Sequence, residues 1–408
     1  MAFSVSREDA RAPALPFTVW VVLASTGVAV FTSGLTVFGL PLNALTWILP
    51  LVAALVDLAL VPGRPRLPLW IWLPWLGMLL VYVLGAETEN AFQRTVMMAA
   101  PLAVGLAVSK YEVAPAALAR LERGVRVLAT VLLAGAALKS GLSLQGLPGT
   151  SPLAPEVMTG SILASLFAAG YVFGNRRSLL WWCILALVPV VGLTRTGIVA
   201  TAITLPLTLA PLGWKRRVLF LSAVVVAVVA VFHTERVQRK MFISGEGEIA
   251  DLMMDNPDIR MSGRKRVWEY LEWQVSQRPW FGHGANASEP IVRSLTRGAT
   301  HPHNDWLRLR YEYGNVGALV FAACMLTQLL HLWSRARFLT PERRALAYAG
   351  ASSFVAFSIF MLTDNIILYA SYFGHLQFAA IGLAYSAAPE ADAGAQQAAP
   401  TAQATARA

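Results

Sequence analysis

The segment best suited to acid–base chemistry is His301-Pro302-His303-Asn304-Asp305, which comes just before a long apolar run. A neutral imidazole can take a proton from a hydroxyl near neutral pH, so His303 is the candidate general base and His301 a supporting residue. The alternative is that His303 and Asn304 only cap the helix that follows. The residues alone favour neither interpretation over the other.

Arg195 is the second candidate and lies in the short turn Gly192-Leu193-Thr194-Arg195-Thr196-Gly197, between two apolar runs. An arginine in such a place is costly unless it faces water, protein or an anion. It could instead be an anchor whose guanidinium reaches the membrane surface. Anchors usually lie on the side of the membrane that carries most basic residues, and Arg195 is predicted on the other side. We therefore favour an anion-binding role.

The long polar segment 234–303 carries a third group of basic residues, which comprises Arg260, Arg264, Lys265, Arg266, Arg293 and Arg297. A guanidinium suits phosphate because it donates two parallel hydrogen bonds. Arg264 opens a predicted amphipathic helix, so it is the best placed of the group to reach an anion at the membrane surface. For Lys265 and Arg266 we favour a solvated surface or contact with anionic headgroups.

Asp364-Asn365 follows an apolar run and is the fourth candidate. A carboxylate in an apolar context is a functional hypothesis by default. It can equally form a structural ion pair with an arginine such as Arg195 or Arg310. We favour the structural pairing over catalysis for Asp364.

These residues are positioned by a strongly apolar chain. Of 408 residues, 56% are hydrophobic and 14% are charged, against about 25% charged in soluble domains. Runs of about 20 apolar residues span a bilayer as helices, so we predict an all-α, polytopic membrane protein. The twelve predicted spans lie near 17–34, 43–61, 69–86, 95–109, 125–140, 157–174, 179–193, 197–213, 218–233, 307–333, 345–362 and 370–387.

The distribution of Lys and Arg predicts the orientation. Sixteen of them fall in short connections on one side of the predicted spans and three on the other, which places both termini in the cytoplasm. The net charge of +10 is therefore a topology signal, and we expect no nucleic acid partner. The predicted organisation is spans 1–9 in residues 1–233, a large periplasmic loop at 234–303, spans 10–12 in 304–387 and a disordered cytoplasmic tail at 388–408.

Two helical segments should bring the candidates together. Arg264–Gln277, with Ser262-Gly263 as its start, reads as an amphipathic helix that can lie flat on the bilayer. Residues 303–317, read as one helix, place five residues near one face: His303, Leu307, Arg310, Gly314 and Gly317. Gly314 and Ala318 form a pair of small residues that permits close helix packing, which we expect to press His303 against neighbouring helix ends.

Motifs for metals and nucleotides are absent from the sequence. It has no HExxH, no Gly-rich phosphate loop, no dinucleotide fingerprint and no pair of aspartates spaced for a metal-bound sugar nucleotide. The two cysteines, Cys183 and Cys324, lie inside predicted spans and form no redox or metal motif. We expect neither a cofactor nor a metal, and no nucleotide-driven reaction.

The string His303-Asn304, nine further residues and Gly314-Asn315-Val316-Gly317 resembles the histidine motif of the O-antigen ligase family, a group that includes O-antigen polymerases and pilin O-oligosaccharyltransferases. Ser262-Gly263-Arg264, Trp268, Pro279 and Phe281-Gly282-His283-Gly284 also resemble that family's large loop. Arg195 resembles its arginine in the preceding short turn. The resemblance covers nearly the whole chain and implies a C-type glycosyltransferase-like fold of about 12 transmembrane helices.

The family resemblance implies transfer of O-antigen from undecaprenyl pyrophosphate to lipid A–core oligosaccharide, at the periplasmic face of the bacterial inner membrane and with inversion. Both substrates are lipid-linked, so membrane lipids are further partners. In this hypothesis Arg195 and Arg264 bind the diphosphate and His303 acts on the acceptor hydroxyl. The alternatives are an O-antigen polymerase, a pilin O-oligosaccharyltransferase and, from another class, a twelve-helix transporter, although midplane charges and internal repeats are not evident.

Overall fold

The computed structural model describes residues 15–387, apart from gaps at 33–34, 38–39, 87, 89, 145–152, 209–211, 249–250, 252–257, 259–263 and 297–298. Several predictions lie outside the described residues. These are the helix start at Ser262-Gly263, the basic residues Arg260 and Arg297, and the tail at 388–408.

The described part of the chain is helical, which confirms the all-α prediction. Its helices are α1 (Phe17–Thr32), α2 (Leu42–Leu60), α3 (Leu73–Leu84), α4 (Ala91–Ser109), α5 (Pro115–Leu144), α6 (Ala154–Val172), α7 (Arg177–Val191), α8 (Arg195–Thr208), α9 (Trp214–Phe232), α10 (Glu235–Met241), α11 (Arg264–Gln277), α12 (Ser288–Leu295), α13 (Asp305–Ala336), α14 (Pro341–Met361) and α15 (Gly374–Tyr385). A 3-10 turn, Leu69–Ile71, precedes α3. Strands β1 (Thr36–Val37) and β2 (Leu40–Pro41) form one small antiparallel pair.

Four helices of the described chain are long and apolar enough to cross a membrane, namely α2, α4, α13 and α14. A fifth span results if α9 and α10, which meet at a bend of 71°, are counted together. Helices α1, α3 and α7 are apolar but shorter. Each of the twelve predicted spans coincides with a helix, but the count of twelve crossings stays a prediction.

Helix α15, whose residues are all buried, packs against α4, α14 and α1. Gly382 of α15 lies against Gly105 of α4 so closely that an added Cβ would stand 2.7 Å from the Gly105 carbonyl oxygen. Small residues let two helix backbones approach in this way, which increases the dispersion contacts that hold membrane helices together. α6 and α14 complete the interior.

Helix α13 is broken at Gly314, so the prediction of one continuous face over 303–317 is wrong. Gly314 has φ 70° and ψ −179°, and the turn segment 279–284 fits into the break. Asn315 N–H donates to Pro279 O at 2.7 Å, and His283 N–H to Tyr311 O at 2.9 Å. A Cβ on Gly314 would stand 2.0 Å from Trp280 O, so this glycine serves the backbone contact and not helix-to-helix packing.

Segment 264–304 packs onto one end of the helix bundle, which we call the loop end. Tyr82 Oη, near the end of α3, donates to Phe281 O at 2.7 Å, and Thr88 Oγ1 donates to Ala285 O at 2.6 Å. Arg94, at the start of α4, lies 3.7 Å from the Glu289 carboxylate. These contacts fix the loop over the ends of α3 and α4.

Helix α11 has the predicted bounds, but its apolar face does not meet a bilayer. Val267, Leu271 and Val275 are buried against Val292 of α12 and Leu307 of α13. The expected flat packing on the membrane is therefore wrong for this face, because burial against protein already removes it from solvent. The aromatic residues of α11 that remain exposed, Tyr270 and Trp273, lie on the other side.

Candidate functional site

The candidate residues meet at Thr363-Asp364-Asn365, which we call the 363–365 turn. The turn directly follows α14 and continues its hydrogen bonding, since Thr363 and Asp364 N–H groups both donate to Phe360 O, at 3.1 and 2.9 Å. The end of α14 thereby projects a hydroxyl, a carboxylate and an amide at the loop end. Three separate segments of the chain contact them.

His303 lies against this turn through both its backbone and its ring. Its N–H donates to Asn365 Oδ1 at 3.0 Å, and its Nδ1 lies 3.3 Å from Asp364 Oδ1 and 3.2 Å from Asn365 Nδ2. The residue has φ 52°, a left-handed conformation that costs free energy in a non-glycine residue and is held by these contacts. The side chain stays 31% exposed, so the ring edge away from Asp364 can meet a substrate.

Asn304 caps α13, as the alternative interpretation predicted for it, because its Oδ1 accepts the Leu307 N–H at 2.9 Å. His303 has a different role, since its ring contacts the turn and not the helix. The cap fixes the point at which the chain enters α13, and so fixes the position of the preceding residue, His303. The capping interpretation therefore describes Asn304, and the general-base interpretation stays a prediction for His303.

Asp364 faces His303 in this structure, whereas we favoured an ion pair with Arg195 or Arg310. Its Oδ1 also accepts the Asn365 N–H at 2.9 Å, which orients the carboxylate. Arg310 instead contacts Glu272 at 2.8 Å and Asn315 at 3.2 Å, so it links α13 to α11 outside the site. The sequence carried no information on the register between the end of α14 and the loop, and the choice between a structural and a catalytic role for Asp364 stays a prediction.

Arg264 and Arg195 approach the same turn from two other segments. Arg264 Nη1 donates to Thr363 O at 2.7 Å. Arg195 opens α8, and the next residue, Thr196, shares a short hydrogen bond with the Thr363 hydroxyl. Burial lowers the pKa of Arg195, and the nearby charge of Arg264 lowers it further. Two partly buried cations thus lie beside the His303–Asp364 pair.

Lys240 joins this group, although sequence reasoning did not select it. It lies on α10, and its Nζ donates to Gly192 O at 3.3 Å, in the turn that leads into Arg195. Burial and then the positive charge of Arg195 lower the pKa of Lys240. A basic residue at the start of a long polar loop carries no sequence signal for this contact, because only the bend between α9 and α10 brings it there.

His301 and the two motif glycines lie outside the pocket. His301 is 8% exposed, and its burial together with Arg308 and Arg94 lowers its pKa to about 2, so the ring stays neutral. Gly314 and Gly317 belong to the break in α13 and to its packing against Met78. These residues support the site only through the backbone that they shape.

A buried ion-pair network underlies the site and was not predicted. Arg308 is 1% exposed and lies 3.7 Å from Asp305 and 3.0 Å from Glu312. Asp305 Oδ2 accepts the Ile367 N–H at 2.8 Å, two residues beyond the 363–365 turn. Glu312 accepts a hydrogen bond from Ser288 Oγ at 2.5 Å. The i, i+3 and i, i+4 spacing of these charges was the available signal.

Within the described part of the chain, no three side chains of the His, Cys, Asp or Glu type lie close enough to hold a metal ion together. The arrangement consists of an imidazole paired with a carboxylate and flanked by three cations. Such a group can orient a hydroxyl and bind an anionic leaving group at one place.

Comparison with known proteins gives one match, to a family model. No curated protein matches the chain. The family model described as O-antigen ligase matches residues 179–322, a range that includes Arg195, Arg264, His303 and the glycines of the broken helix. The 363–365 turn lies beyond the match. The match confirms the resemblance found in the sequence: residues 179–322, about a third of the chain, are similar to the O-antigen ligase family.

Proposed function

We propose that the protein is a membrane glycosyltransferase that transfers O-antigen from undecaprenyl pyrophosphate to a hydroxyl of lipid A–core oligosaccharide. The observation that carries the proposal is the meeting of three distant segments at the 363–365 turn. His303, Arg264 and the Arg195–Thr196 pair contact its residues. A diphosphate donor needs cations and a hydroxyl acceptor needs a base, and the turn brings both kinds of group side by side.

The cations act on the leaving group. As the bond between the anomeric carbon and the donor phosphate breaks, its electron pair leaves with the diphosphate. Arg195 and Arg264 are held at the loop end, so they can stabilise that growing negative charge without rearrangement. Partial burial strengthens the effect because the local dielectric constant is lower than in water.

His303 acts on the acceptor. The Nδ1–H group of His303 donates a hydrogen bond to the Asp364 carboxylate, so the lone pair is on Nε2. Nε2 can then take the proton of the acceptor hydroxyl as the hydroxyl oxygen bonds to the anomeric carbon. Asp364 thereby sets the tautomer and stabilises the imidazolium that forms. Direct attack from the side opposite the diphosphate inverts the anomeric centre.

The topology belongs to the same proposal. Twelve crossings with both termini in the cytoplasm place the loop end, and with it the site, at the periplasmic face of the bacterial inner membrane. The clustering of the ends of α8, α13 and α14 around one loop supports a single face for the site, and the distribution of Lys and Arg in the short connections supports the periplasmic side. There both lipid-linked substrates can reach the site from the outer leaflet.

The decisive experiment is transfer in vitro with purified protein, lipid-linked O-antigen and lipid A–core in the presence of EDTA. We expect transfer by the wild type and loss of it in His303→Ala. His233→Ala is the matched control, because His233 is an exposed histidine at the end of α9. Full activity of His303→Ala would remove the general base from the proposal, and a requirement for added metal ions would contradict the mechanism.

The product distinguishes ligase from polymerase. In a deletion strain, loss of the lipopolysaccharide ladder with accumulation of carrier-linked polymer indicates a ligase. A band with a single repeat unit indicates a polymerase. Export of substrate by reconstituted protein, without any new glycosidic bond, would instead identify a transporter.

A further inference from the structure

We propose that Lys240 is a third cation of the donor site and makes that site selective for a diphosphate over a monophosphate. The inference rests on the proposed function and adds a residue to it. It starts from the contact between Lys240 Nζ and Gly192 O, which places an ammonium group beside the turn that carries Arg195.

The position of Lys240 is fixed by the packing of α10. Val237, Met241 and Phe242 form a small apolar cluster with Phe232 at the end of α9, and Leu193 packs against it. Gln238 Nε2 also donates to Phe232 O at 2.9 Å. Because Leu193 belongs to the same turn as Gly192, the cluster holds α10 and the start of α8 together. Lys240 is therefore held beside the turn that precedes Arg195.

The remaining donors of Lys240 point to an anion. An ammonium group has three protons, and the Gly192 contact is the one hydrogen bond that Lys240 makes with described residues. Its charge and that of Arg195 repel each other across the turn. An anion between two cations relieves this repulsion and supplies acceptors for the unused protons.

The charges match a diphosphate. A diphosphate that joins a lipid to a sugar carries one negative charge on each of its two phosphates, whereas the matching monophosphate carries a single charge. Arg264 donates at the 363–365 turn and Lys240 donates at the 192–196 turn. In the proposal one phosphate meets the cations at the 363–365 turn and the second meets Lys240, so a ligand with one phosphate gains nothing from Lys240. This is the physical basis of the proposed selectivity.

The neighbouring cation on the same helix provides a control. Arg239 is 72% exposed and forms an ion pair with Glu235 on the surface of α10. Arg239→Met removes one positive charge from α10 at a place that does not touch the 192–196 turn. Any effect of net charge alone would appear equally in this variant.

The test measures binding of two synthetic ligands, a polyprenyl diphosphate sugar and the matching polyprenyl monophosphate sugar, to the full-length protein in detergent. Lys240→Met and Lys240→Gln should weaken diphosphate binding about 10-fold, as expected for loss of one charged hydrogen bond. Monophosphate binding should change less than 3-fold. Lys240→Gln keeps an N–H for Gly192 O, so it separates the loss of charge from the loss of that bond. Lys240→Arg should stay within about 3-fold of the wild type.

Unchanged diphosphate binding in Lys240→Gln, or an equal loss for both ligands, would overturn the inference. Arg195→Ala, measured in parallel, separates this failure from failure of the proposed function. If Arg195→Ala weakens binding and Lys240→Gln does not, only the role of Lys240 is wrong. If neither variant affects binding, the diphosphate site itself is wrong.

Discussion

The two ends of the helix bundle use arginine in different ways. At the end opposite the loop, Arg66, Arg343 and Arg344 donate to backbone carbonyl oxygens. Arg66 Nη1 lies 2.8 Å from Lys110 O, Arg343 Nη2 lies 2.7 Å from Val113 O, and Arg344 Nε lies 3.0 Å from Ala336 O. Lys110 O and Ala336 O stand at the ends of α4 and α13 and have no partner within the helix, and Val113 O lies in the connection between α4 and α5.

At the loop end, the cations gather around one turn instead. Arg264 donates a hydrogen bond to the carbonyl oxygen of Thr363, and Lys240 donates one to the carbonyl oxygen of Gly192. Arg195 begins a helix, where N–H groups and not carbonyls are in excess, so the local backbone reinforces a site for anions. Cations satisfy carbonyls after helix C-termini at both ends, and the loop end differs because the N-terminus of α8 also lies beside the 363–365 turn, which in the proposed function favours an anion.

The largest expected effect is a loss of transfer rate at the loop end in a variant that stays folded. Asp364→Asn keeps the shape of the side chain but favours the histidine tautomer with the proton on Nε2. We expect transfer at saturating substrate to fall roughly 100- to 1,000-fold with an unchanged melting temperature. Initial rates and thermal unfolding in detergent measure the two quantities. A variant with normal rates would show that Asp364 does not orient His303.

Gly314→Ala should damage the backbone contact on which the loop end depends. A Cβ there would stand 2.0 Å from Trp280 O, on a residue with φ 70°, and we expect about 3 kcal/mol loss of stability. Gly77→Ala in α3 is the control, because its Cβ would meet nothing within 4 Å. Chemical denaturation of both variants tests this, and equal stability of the two would contradict the close approach.

Arg343→Met tests the end of the bundle opposite the loop, where we expect an effect on stability alone. Arg343 is 5% exposed and donates to Val113 O and Ala387 O, so its loss leaves buried carbonyls without these donors. We expect a loss of about 2 kcal/mol in stability and no change in donor affinity. Arg264→Met should show the opposite pattern. Weaker donor binding in Arg343→Met would mean that the two ends do not differ as described.

The smallest effect concerns pH. The folded pKa of His301 is about 2, below the ordinary value of 6.5, so unfolding lets the ring take up a proton at mildly acidic pH. Stability should therefore fall by about 1 kcal/mol per pH unit as the pH drops below about 6.5. His301→Gln should lose this part of the slope. Thermal unfolding between pH 7.5 and pH 5 compares the two proteins, and identical slopes would contradict a buried neutral ring.

Local patterns predicted the elements well. The apolar runs predicted helices that the structure contains, and the spacing of Val267, Leu271 and Val275 predicted α11 with its bounds. Helix position depends mainly on such local periodicity. The break at Gly314 was missed because the same glycine spacing also fits two packed helices, and only the contact with segment 279–284 distinguishes the two arrangements.

The site was predicted in its residue types and not in its pairings. The sequence by itself determined that the chain is apolar and helical, that His303, Arg195 and Arg264 stand at helix boundaries, and that a carboxylate follows α14. Tertiary structure alone decided that Asp364 faces His303, that Arg310 pairs with Glu272, and that Lys240 reaches Gly192. The reason is physical: helix formation depends on neighbours in the chain, whereas these contacts depend on how distant helix ends meet once their apolar faces are packed.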